Sequence, residues 1–274
     1  MFTRLREKYR YSIVLLRELV RTDFKLKYQD SALGYVWSVL KPLFLFAIMY
    51  VVFAKLLGIG RGVPHWPVAM LAGIVLWQFF TDVTTNGLKT IVNNGSLLRK
   101  IKFPRYIVII SGTVSSLISL GINAVVVIVF AVINGVTFSP ALLVAIPLVI
   151  EVFVFSIGVA FFLSAVYVKF RDIQHIWDIL VRGLFYGSAI LFPINMILSI
   201  SSGPLIANLI LINPVSQAIQ DVRHLAIAPE IDSLWTVSSG NLLLYLVPIV
   251  ISIIVFAFGA FYFKKRAPYF AEDV

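Results

Sequence analysis

Isolated ionisable side chains are the residues of this sequence that first attract chemical interest. Four of them fall within long apolar stretches, where a membrane helix would run. Charged groups in hydrocarbon are costly and usually face a protein interior or a wet cavity. They do not form the chain of carboxylates typical of a proton-driven carrier, and a structural ion pair between Asp82 and one of the cations is the simplest role. The four residues are Lys41, Asp82, Glu151 and Arg182.

No catalytic or metal-binding constellation has the required spacing. Gly87-Leu88-Lys89-Thr90 lacks the spacing of a loop that binds nucleotide phosphates. The chain has no cysteine, and its three histidines are scattered along the sequence. The sequence therefore predicts no catalytic residue, no metal site and no cofactor bound to this chain.

The composition indicates that membrane-spanning helices must hold the four ionisable residues. Of the 274 residues, 60% are hydrophobic and 13% are charged, whereas a soluble domain carries about 25% charged residues. Apolar runs long enough to cross roughly 30 Å of hydrocarbon recur along the chain. We therefore predict an all-α membrane protein with six transmembrane helices, at about residues 35–57, 67–88, 106–134, 141–168, 174–197 and 241–263.

The distribution of basic residues predicts the orientation of these spans. Nineteen Lys and Arg residues flank the spans on the side of the two termini, and two lie on the other side. Because cytoplasmic loops are enriched in Lys and Arg, both termini are expected in the cytoplasm, with the chain in the cytoplasmic membrane. The same distribution explains the net charge of +10 without nucleic-acid binding. Residues 1–30 do not resemble a cleavable signal peptide, so insertion through the chain's own spans is expected.

An amphipathic helix is predicted at residues 9–24, within the cytoplasmic segment 1–34. Its apolar residues share one arc at 100° per residue, and its charged residues share the other. Such a helix lies in the membrane interface, either as a simple anchor or docked against a cytoplasmic partner. The basic residues of its polar face are Arg10, Arg17 and Arg21.

The segment between the fifth and sixth spans is apolar but interrupted by proline. Asn213-Pro214 divides residues 201–231 into pieces that are too short to cross a membrane. Two short helices that enter from outside and turn back at this pair fit the lengths. The alternative is an external loop with surface helices. We expect the re-entrant hairpin over 198–235, followed by the last span at 241–263 and a cytoplasmic tail at 264–274.

The cytoplasmic connection at residues 93–104 has helix-breaking residues at both ends. Asn93, Asn94 and Gly95 break the second span, Ser96 can cap a short helix, and Pro104 ends it. The pattern predicts a short amphipathic helix with a basic side. A stop-transfer charge cluster is the alternative, although it does not explain the breaks.

Aromatic side chains make up 14% of the residues. Their faces suit sugar rings, lipid and core packing alike. The candidates for lining a tunnel are Trp77, Phe80, Phe155, Phe185 and Tyr186.

The order of these parts resembles the permease subunits of type-two ATP-binding-cassette exporters, particularly the exporters of O-antigen, teichoic acid and related polysaccharides. The resemblance covers nearly the whole chain, and residues 23–42 are its most specific part. Ala189 departs from the family pattern, which often has a proline there, although Pro193 can supply the kink. The matching pieces are DFKLKYQDSALGYVWSVLKP, LAGIVLWQFF, NNGSLLRKIKFP, VKFRDI, the Asn213-Pro214 turn and PYFAEDV.

This resemblance implies a homodimer joined to two separate cytoplasmic ATPase subunits, which would bind ATP and Mg²⁺. The paired bundles would enclose a tunnel for a polysaccharide carried on a polyprenyl diphosphate in a lipid membrane. The amphipathic N-terminal helix would rest against the element that couples the permease to the ATPase. That coupling element would comprise Ser96, Leu97, Leu98, Arg99, Lys100 and Lys102.

A lipid diphosphate would need cations at the cytoplasmic mouth. Lys41 is the leading candidate, because the following Pro42 leaves a carbonyl of the preceding turn without its usual donor. Arg99, Lys100 and Arg105 could complete a basic rim. Snorkelling of Lys41 to lipid headgroups is the alternative.

Two other functional classes remain open from the sequence. One is an exporter of the same fold for drugs or lipids, and the other is a channel or secondary carrier that works alone. Copurification of an ATPase would separate the second class from a subunit of an ATP-driven exporter.

Overall fold

The fold is known from a computed structural model, which describes residues 13–23, 34–100, 103–137 and 140–270. This part of the chain is all-helical and contains no β-strand. Residues 13–23 are helical and are called α1. The other helices are α2 (Trp37–Met49), α3 (Trp66–Asn93), α4 (Gly95–Lys100), α5 (Tyr106–Ile133), α6 (Ala145–Lys169), α7 (Ile173–Gly187), α8 (Asn195–Leu198), α9 (Gly203–Leu211), α10 (Pro214–Ala226), α11 (Leu234–Val237) and α12 (Leu242–Arg266).

Five helical segments in the described residues are long and apolar enough to cross a membrane. The first combines α2 with the π-helical turns Tyr50–Leu56 that follow it. The all-helical membrane class predicted from composition is confirmed, whereas six spanning helices are not observed. The five segments are Trp37–Leu56, Trp66–Asn93, Tyr106–Ile133, Ala145–Lys169 and Leu242–Tyr269.

The span expected at 174–197 is the exception, because it is not one continuous helix. α7 ends at Gly187, and Ala189 has a left-handed φ of 51°. A helix of 15 residues is about 22 Å long at 1.5 Å per residue, which is shorter than the hydrocarbon core. The kink expected near Ala189 or Pro193 is thus a complete break, followed by non-helical residues up to α8.

α6 lies at the centre of the bundle and packs closely on both α3 and α12. A Cβ atom on Gly87 of α3 would lie 2.6 Å from the Cβ of Ala160, and one on Gly158 would lie 2.5 Å from the Cα of Phe256 in α12. Small residues at these crossings let the helix backbones approach, as is common where membrane helices associate. α3 is the most buried of the five spans, and the segment that begins with α2 is the least buried.

Pro42 is the residue that ties α2 to the bundle. Proline has no backbone N–H, so the carbonyl of Ser38 in the preceding turn loses its helical donor. In the structure, Asn123 of α5 donates its side-chain Nδ2–H to the Ser38 oxygen at 3.1 Å and also to the Ser119 oxygen at 2.8 Å. The sequence predicted the unpaired carbonyl but not its donor.

The residues that follow α7 and its terminal break fold into short helices before the last span. α9 and α10 are separated at Asn213, as the Asn-Pro pair indicated, and the Asn213 Oδ1 accepts a hydrogen bond from the Val215 N–H at 3.0 Å. Most of the side chains of α10 are buried, and α10 packs against α3 and α6.

We predict that Asn123 stabilises the fold through its hydrogen bond to the Ser38 carbonyl, which has no helical donor at Pro42. Asn123→Ala should lower stability in detergent micelles by about 0.6–1.7 kcal/mol, the range of interhelical hydrogen bonds in membranes. The loss should shrink in a Pro42→Ala background, where residue 42 regains an N–H for the Ser38 oxygen. Thermal or denaturant unfolding of the four variants measures this coupling.

Asn134 provides the matched control. Its Nδ2–H binds the Phe130 oxygen at 2.7 Å at the end of α5, away from Pro42. Asn134→Ala should cost the same in both backgrounds. Equal costs of Asn123→Ala in both backgrounds would show that Asn123 does not act through the Ser38 carbonyl that faces Pro42.

Candidate functional site

The predicted coupling segment contains a helix of six residues, α4. Asn94 separates it from α3, and the Asn94 Nδ2–H donates to the Thr90 oxygen at 2.9 Å. Ser96 is therefore inside the helix and does not precede it as a cap, contrary to expectation. Ser96, Arg99 and Lys100 are exposed and Leu97 is half-buried. Lys102 and the side chain of Leu98 lie outside the described part of the chain.

Helix α1 contacts the same end of the bundle as α4. The Ser111 Oγ–H of α5 donates to the Asp23 carboxylate at 2.9 Å, and burial raises the pKa of Asp23, which this hydrogen bond partly opposes. Asp23 and Asn94 line one polar cavity of about 370 Å³. Arg17 and Arg21 are exposed, and the predicted Arg10 lies outside the described residues.

Lys41 and Asp82 line a second, smaller polar cavity of about 70 Å³ between α2, α3 and α5. The Gln78 Nε2–H donates to the Asp82 carboxylate at 2.8 Å. Lys41 is the intramembrane cation that the structure brings to Asp82, whereas Arg182 is exposed on α7. The ion pair expected for Asp82 stays a prediction.

Arg105 lies in a different cavity from Lys41. It lines an apolar groove between α5, α6 and α12 together with Lys264, and Arg99 and Lys100 project from α4. The structure thus does not gather the four predicted phosphate-binding cations in one place within a chain.

Arg223 forms a polar centre that the sequence did not reveal. Its side chain is fully buried, although the charge count had placed it in an external loop. The guanidinium donates to three backbone carbonyls: Nε to Ala69 at 2.9 Å, Nη1 to Ala189 at 2.8 Å and Nη2 to Ile190 at 2.6 Å. It also lies 5.1 Å from the centre of the Trp66 ring.

Gly73 makes room for this guanidinium. A Cβ atom on Gly73 would lie 2.6 Å from Arg223 Nη2. Two of the three bonded carbonyls belong to the break after α7, and the third belongs to α3. Arg223 therefore joins α10, α3 and the broken segment by charge-assisted hydrogen bonds.

The polar face of α10 extends this centre toward α12. The Gln217 Nε2–H donates to the Asp221 carboxylate at 2.6 Å, and the Leu234 N–H donates to its other oxygen at 3.0 Å. Burial raises the pKa of Asp221, and these two hydrogen bonds act in the opposite direction. Glu151 of α6 is half-buried, and one of its oxygens has no hydrogen-bond partner in the described structure.

The five predicted tunnel aromatics form one continuous network. Trp77 lies 5.3 Å from Phe80 and 6.1 Å from Phe185, Phe80 stacks on Phe155 at 5.8 Å, and Phe185 lies 5.4 Å from Tyr186. Trp77, Phe80 and Phe185 are buried within the chain. Tyr186 is the member with an exposed ring, at 54% of its surface.

Three polar side chains and one isoleucine lie in a line along the exposed surface of α7, which also carries Ile176 and Leu180. His175, Ile179, Arg182 and Tyr186 are exposed, and at 100° per residue they fall within an arc of about 60°. We call these four residues the α7 stripe. In the sequence, His175 is one of three scattered histidines that lack the spacing of metal ligands. The α-helical spacing of the stripe is the signal that could have identified it.

These elements define an integral membrane protein in which the short helix α1 lies beside a helical bundle. Residues 14–226 match the ABC-2 type transporter family. The match covers well over half of the chain, which therefore belongs to this family.

Curated relatives with a stated role extend the comparison. An O-antigen export system permease protein RfbA from Klebsiella pneumoniae is 30% identical over 188 residues, which are 68% of this chain and 72% of the relative. A second such protein from the same organism is 27% identical over the same shares of both chains. The protein of that name from Myxococcus xanthus is 27% identical over 198 residues, which are 72% of this chain and 75% of the relative.

We predict that Arg223 is essential to the outer part of the fold. Arg223→Met removes a donor from three buried carbonyls. The Ala189 oxygen would keep the Gln220 Nε2–H at 3.0 Å and the Ala69 oxygen lies within α3, so the Ile190 oxygen is the one that loses its donor, at a cost of about 1–3 kcal/mol. Thermal unfolding in detergent should show a loss of at least about this size, and Arg223→Lys should recover only part of it because an ammonium lacks the planar fork of donors.

Arg61 and Gly73 supply the controls. Arg61 is an exposed arginine, so Arg61→Met should be neutral. Gly73→Ala should be costly alone and cost less in the Arg223→Met background, where no guanidinium opposes the added methyl group. A neutral Arg223→Met would contradict the role of this centre.

Proposed function

We propose that this chain is the membrane-spanning subunit of an ATP-driven exporter that moves a polyprenyl-diphosphate-linked polysaccharide, such as an O-antigen, across the bacterial cytoplasmic membrane. The observation that carries the proposal is the similarity to O-antigen export permeases over about two thirds of both chains. Family membership and the five candidate spans agree with a transport subunit.

The partners in this proposal are a second copy of the chain and two cytoplasmic ATPase subunits, which bind ATP and Mg²⁺. The exposed α4 supports the second partnership, because its basic side chains are free to enter a cleft of an ATPase. α1 lies beside the same end of the bundle and acts as an amphipathic interface helix. A rigid-body movement of α4 on ATP binding would pass directly into α3 and α5.

The α7 stripe supports a hydrophilic pathway between two copies. An arginine exposed to lipid at mid-helix costs about 2.5–3.5 kcal/mol, so Arg182 needs water, glycan or protein opposite it. A second chain that pairs beside α7 would enclose such a pathway. Tyr186 then offers an exposed ring for stacking on sugars, while the buried aromatics behind it hold Phe185 and α7 in place.

Recognition of the carrier lipid is assigned to the cytoplasmic side of α2. Lys41 is exposed at the mouth of the polar cavity that contains Asp82, and a diphosphate there could accept its ammonium protons. Arg99 and Lys100 could add to this rim from α4.

The broken segment between α7 and α12 is proposed to enter the membrane from outside and turn back at Asn213-Pro214. The burial of α10 against α3 and α6 supports this arrangement, because irregular backbone at membrane depth must be covered by protein. Both termini then lie in the cytoplasm, and α7 with the non-helical residues after it completes the sixth crossing.

The purified chain should hydrolyse no ATP until a separate ATPase subunit is added. In the assembled complex, triple alanine replacement of Leu97, Leu98 and Arg99 should uncouple export from hydrolysis or release the ATPase, since a coupling helix works by packing in a cleft. Arg266→Ala, an exposed basic residue at the end of α12, should leave both unchanged. Hydrolysis by the permease alone would overturn the proposal, and ATPase-independent transport would favour a stand-alone channel or carrier.

A pathway along the α7 stripe predicts a helical pattern of thiol accessibility. Because the chain has no cysteine, single cysteines at His175, Ile179, Arg182 and Tyr186 can be probed with a hydrophilic, membrane-impermeant thiol reagent in assembled complexes. These positions should react, and bound polysaccharide should protect Tyr186→Cys.

Ile176 and Leu180 provide the matched control positions. They point into an apolar cavity beside Phe80, so cysteines there should react much more slowly despite similar exposure. Equal reactivity on both faces of α7 would exclude a pathway confined to the stripe.

A further inference from the structure

A groove on the outside of the bundle combines an apolar floor with two cations at one end. It lies between α5, α6 and α12 and has a volume of about 870 Å³. Its walls are mostly apolar and include five phenylalanines: Phe103, Phe153, Phe161, Phe256 and Phe263. These side chains can pack against hydrocarbon chains but cannot form hydrogen bonds with water.

The charged end of the groove is positive. Arg105 stands just before α5, and Lys264 lies in the last turns of α12. Tyr106, which is 44% exposed, adds a phenol O–H at the same place. No acidic side chain lines the groove in the part of the chain that the structure describes. The complementary ligand is a phosphate group attached to apolar chains.

We propose that this groove binds an anionic membrane phospholipid, with its phosphate between Arg105 and Lys264 and its acyl chains against the phenylalanines. The position agrees with the sidedness of the positive-inside rule, since both cations belong to the flanks expected in the cytoplasm. Basic pockets between transmembrane helices on that side bind anionic headgroups.

A second copy of the chain is a poor occupant of the same groove. An isologous pairing here would bring another Arg105 and another Lys264 to the same end, where four cations would repel each other. Close pairing of membrane helices also favours small residues, and this groove presents bulky rings.

A polyprenyl phosphate has the same chemistry as a phospholipid, namely a phosphate on an apolar chain. The groove nevertheless shares no lining residue with the polar cavity of Lys41 and does not include the α7 stripe. A ligand here would be remote from the proposed route of the glycan, so we assign the groove to a resident lipid.

The test measures lipid binding to the intact complex in zwitterionic nanodiscs or detergent, by native mass spectrometry and by thermal shift. The probes are phosphatidylglycerol, phosphatidylcholine and undecaprenyl phosphate. Arg105→Gln with Lys264→Gln should weaken phosphatidylglycerol binding about thirty-fold, because each basic residue contributes about five-fold. Phosphatidylcholine binding should be weak and unaffected by the two substitutions.

The matched control is Lys265→Gln with Arg266→Gln, which removes the same charge from adjacent exposed positions that do not line the groove. It should leave tight phosphatidylglycerol binding intact. Equal losses in the two double variants would mean general attraction to a basic surface and would overturn the site. Tighter binding of undecaprenyl phosphate, lost in the groove variant, would reassign it to the carrier lipid. These outcomes do not depend on whether the chain exports polysaccharide.

Discussion

Backbone carbonyls that lose their helical donors must find other donors when the chain is surrounded by lipid. Water cannot reach them in the hydrocarbon core, and each unpaired group is expensive there. Side chains supply such donors in the described part of the bundle. Asn123 donates to the Ser38 carbonyl, which has no helical donor because residue 42 is proline. Arg223 donates to the Ala189 and Ile190 carbonyls in the break that follows α7, and Gln220 donates to the Ala189 carbonyl as well. The irregular parts of the fold are therefore possible only where these donors reach them.

The donor at Arg223 also determines which residues can surround it. Gly73 must lack a side chain for the guanidinium to reach the Ala69 oxygen, and α10 must lie against α3 to carry the arginine inward. The Asp221 carboxylate then binds the start of α11. One buried cation thus connects α10 to the second candidate span and to the break that follows α7. A movement of the segment between α7 and α12 would have to keep these hydrogen bonds or break all of them together.

The sequence predicted the regular parts of the fold well and the irregular parts poorly. Hydropathy located α3, α5, α6 and α12, and Asn213-Pro214 marked the division between α9 and α10. Hydropathy also predicted a helix at 174–197 with at most a kink at Pro193, because Ser188 and Ala189 do not themselves forbid a helix. The break there is held by carbonyl bonds to Arg223, which lies more than thirty residues away. Such long-range partners leave no local pattern, although the many polar residues of α10 within an apolar region were a sign of a buried network.

The exposed surfaces of this chain are of two kinds. Some suit lipid, and one requires polar surroundings. Lipid can cover the apolar surface of α2 at no electrostatic cost. It cannot cover the α7 stripe in the same way, because Arg182 and His175 would then be exposed to hydrocarbon. The groove at Arg105 has the opposite character, with apolar walls that suit acyl chains and two cations that suit a headgroup. A membrane protein with both surfaces has one side built for lipid and another that requires a polar partner. For α7, the second copy of the chain proposed above would meet that requirement and would leave room for a hydrated polymer between the two copies.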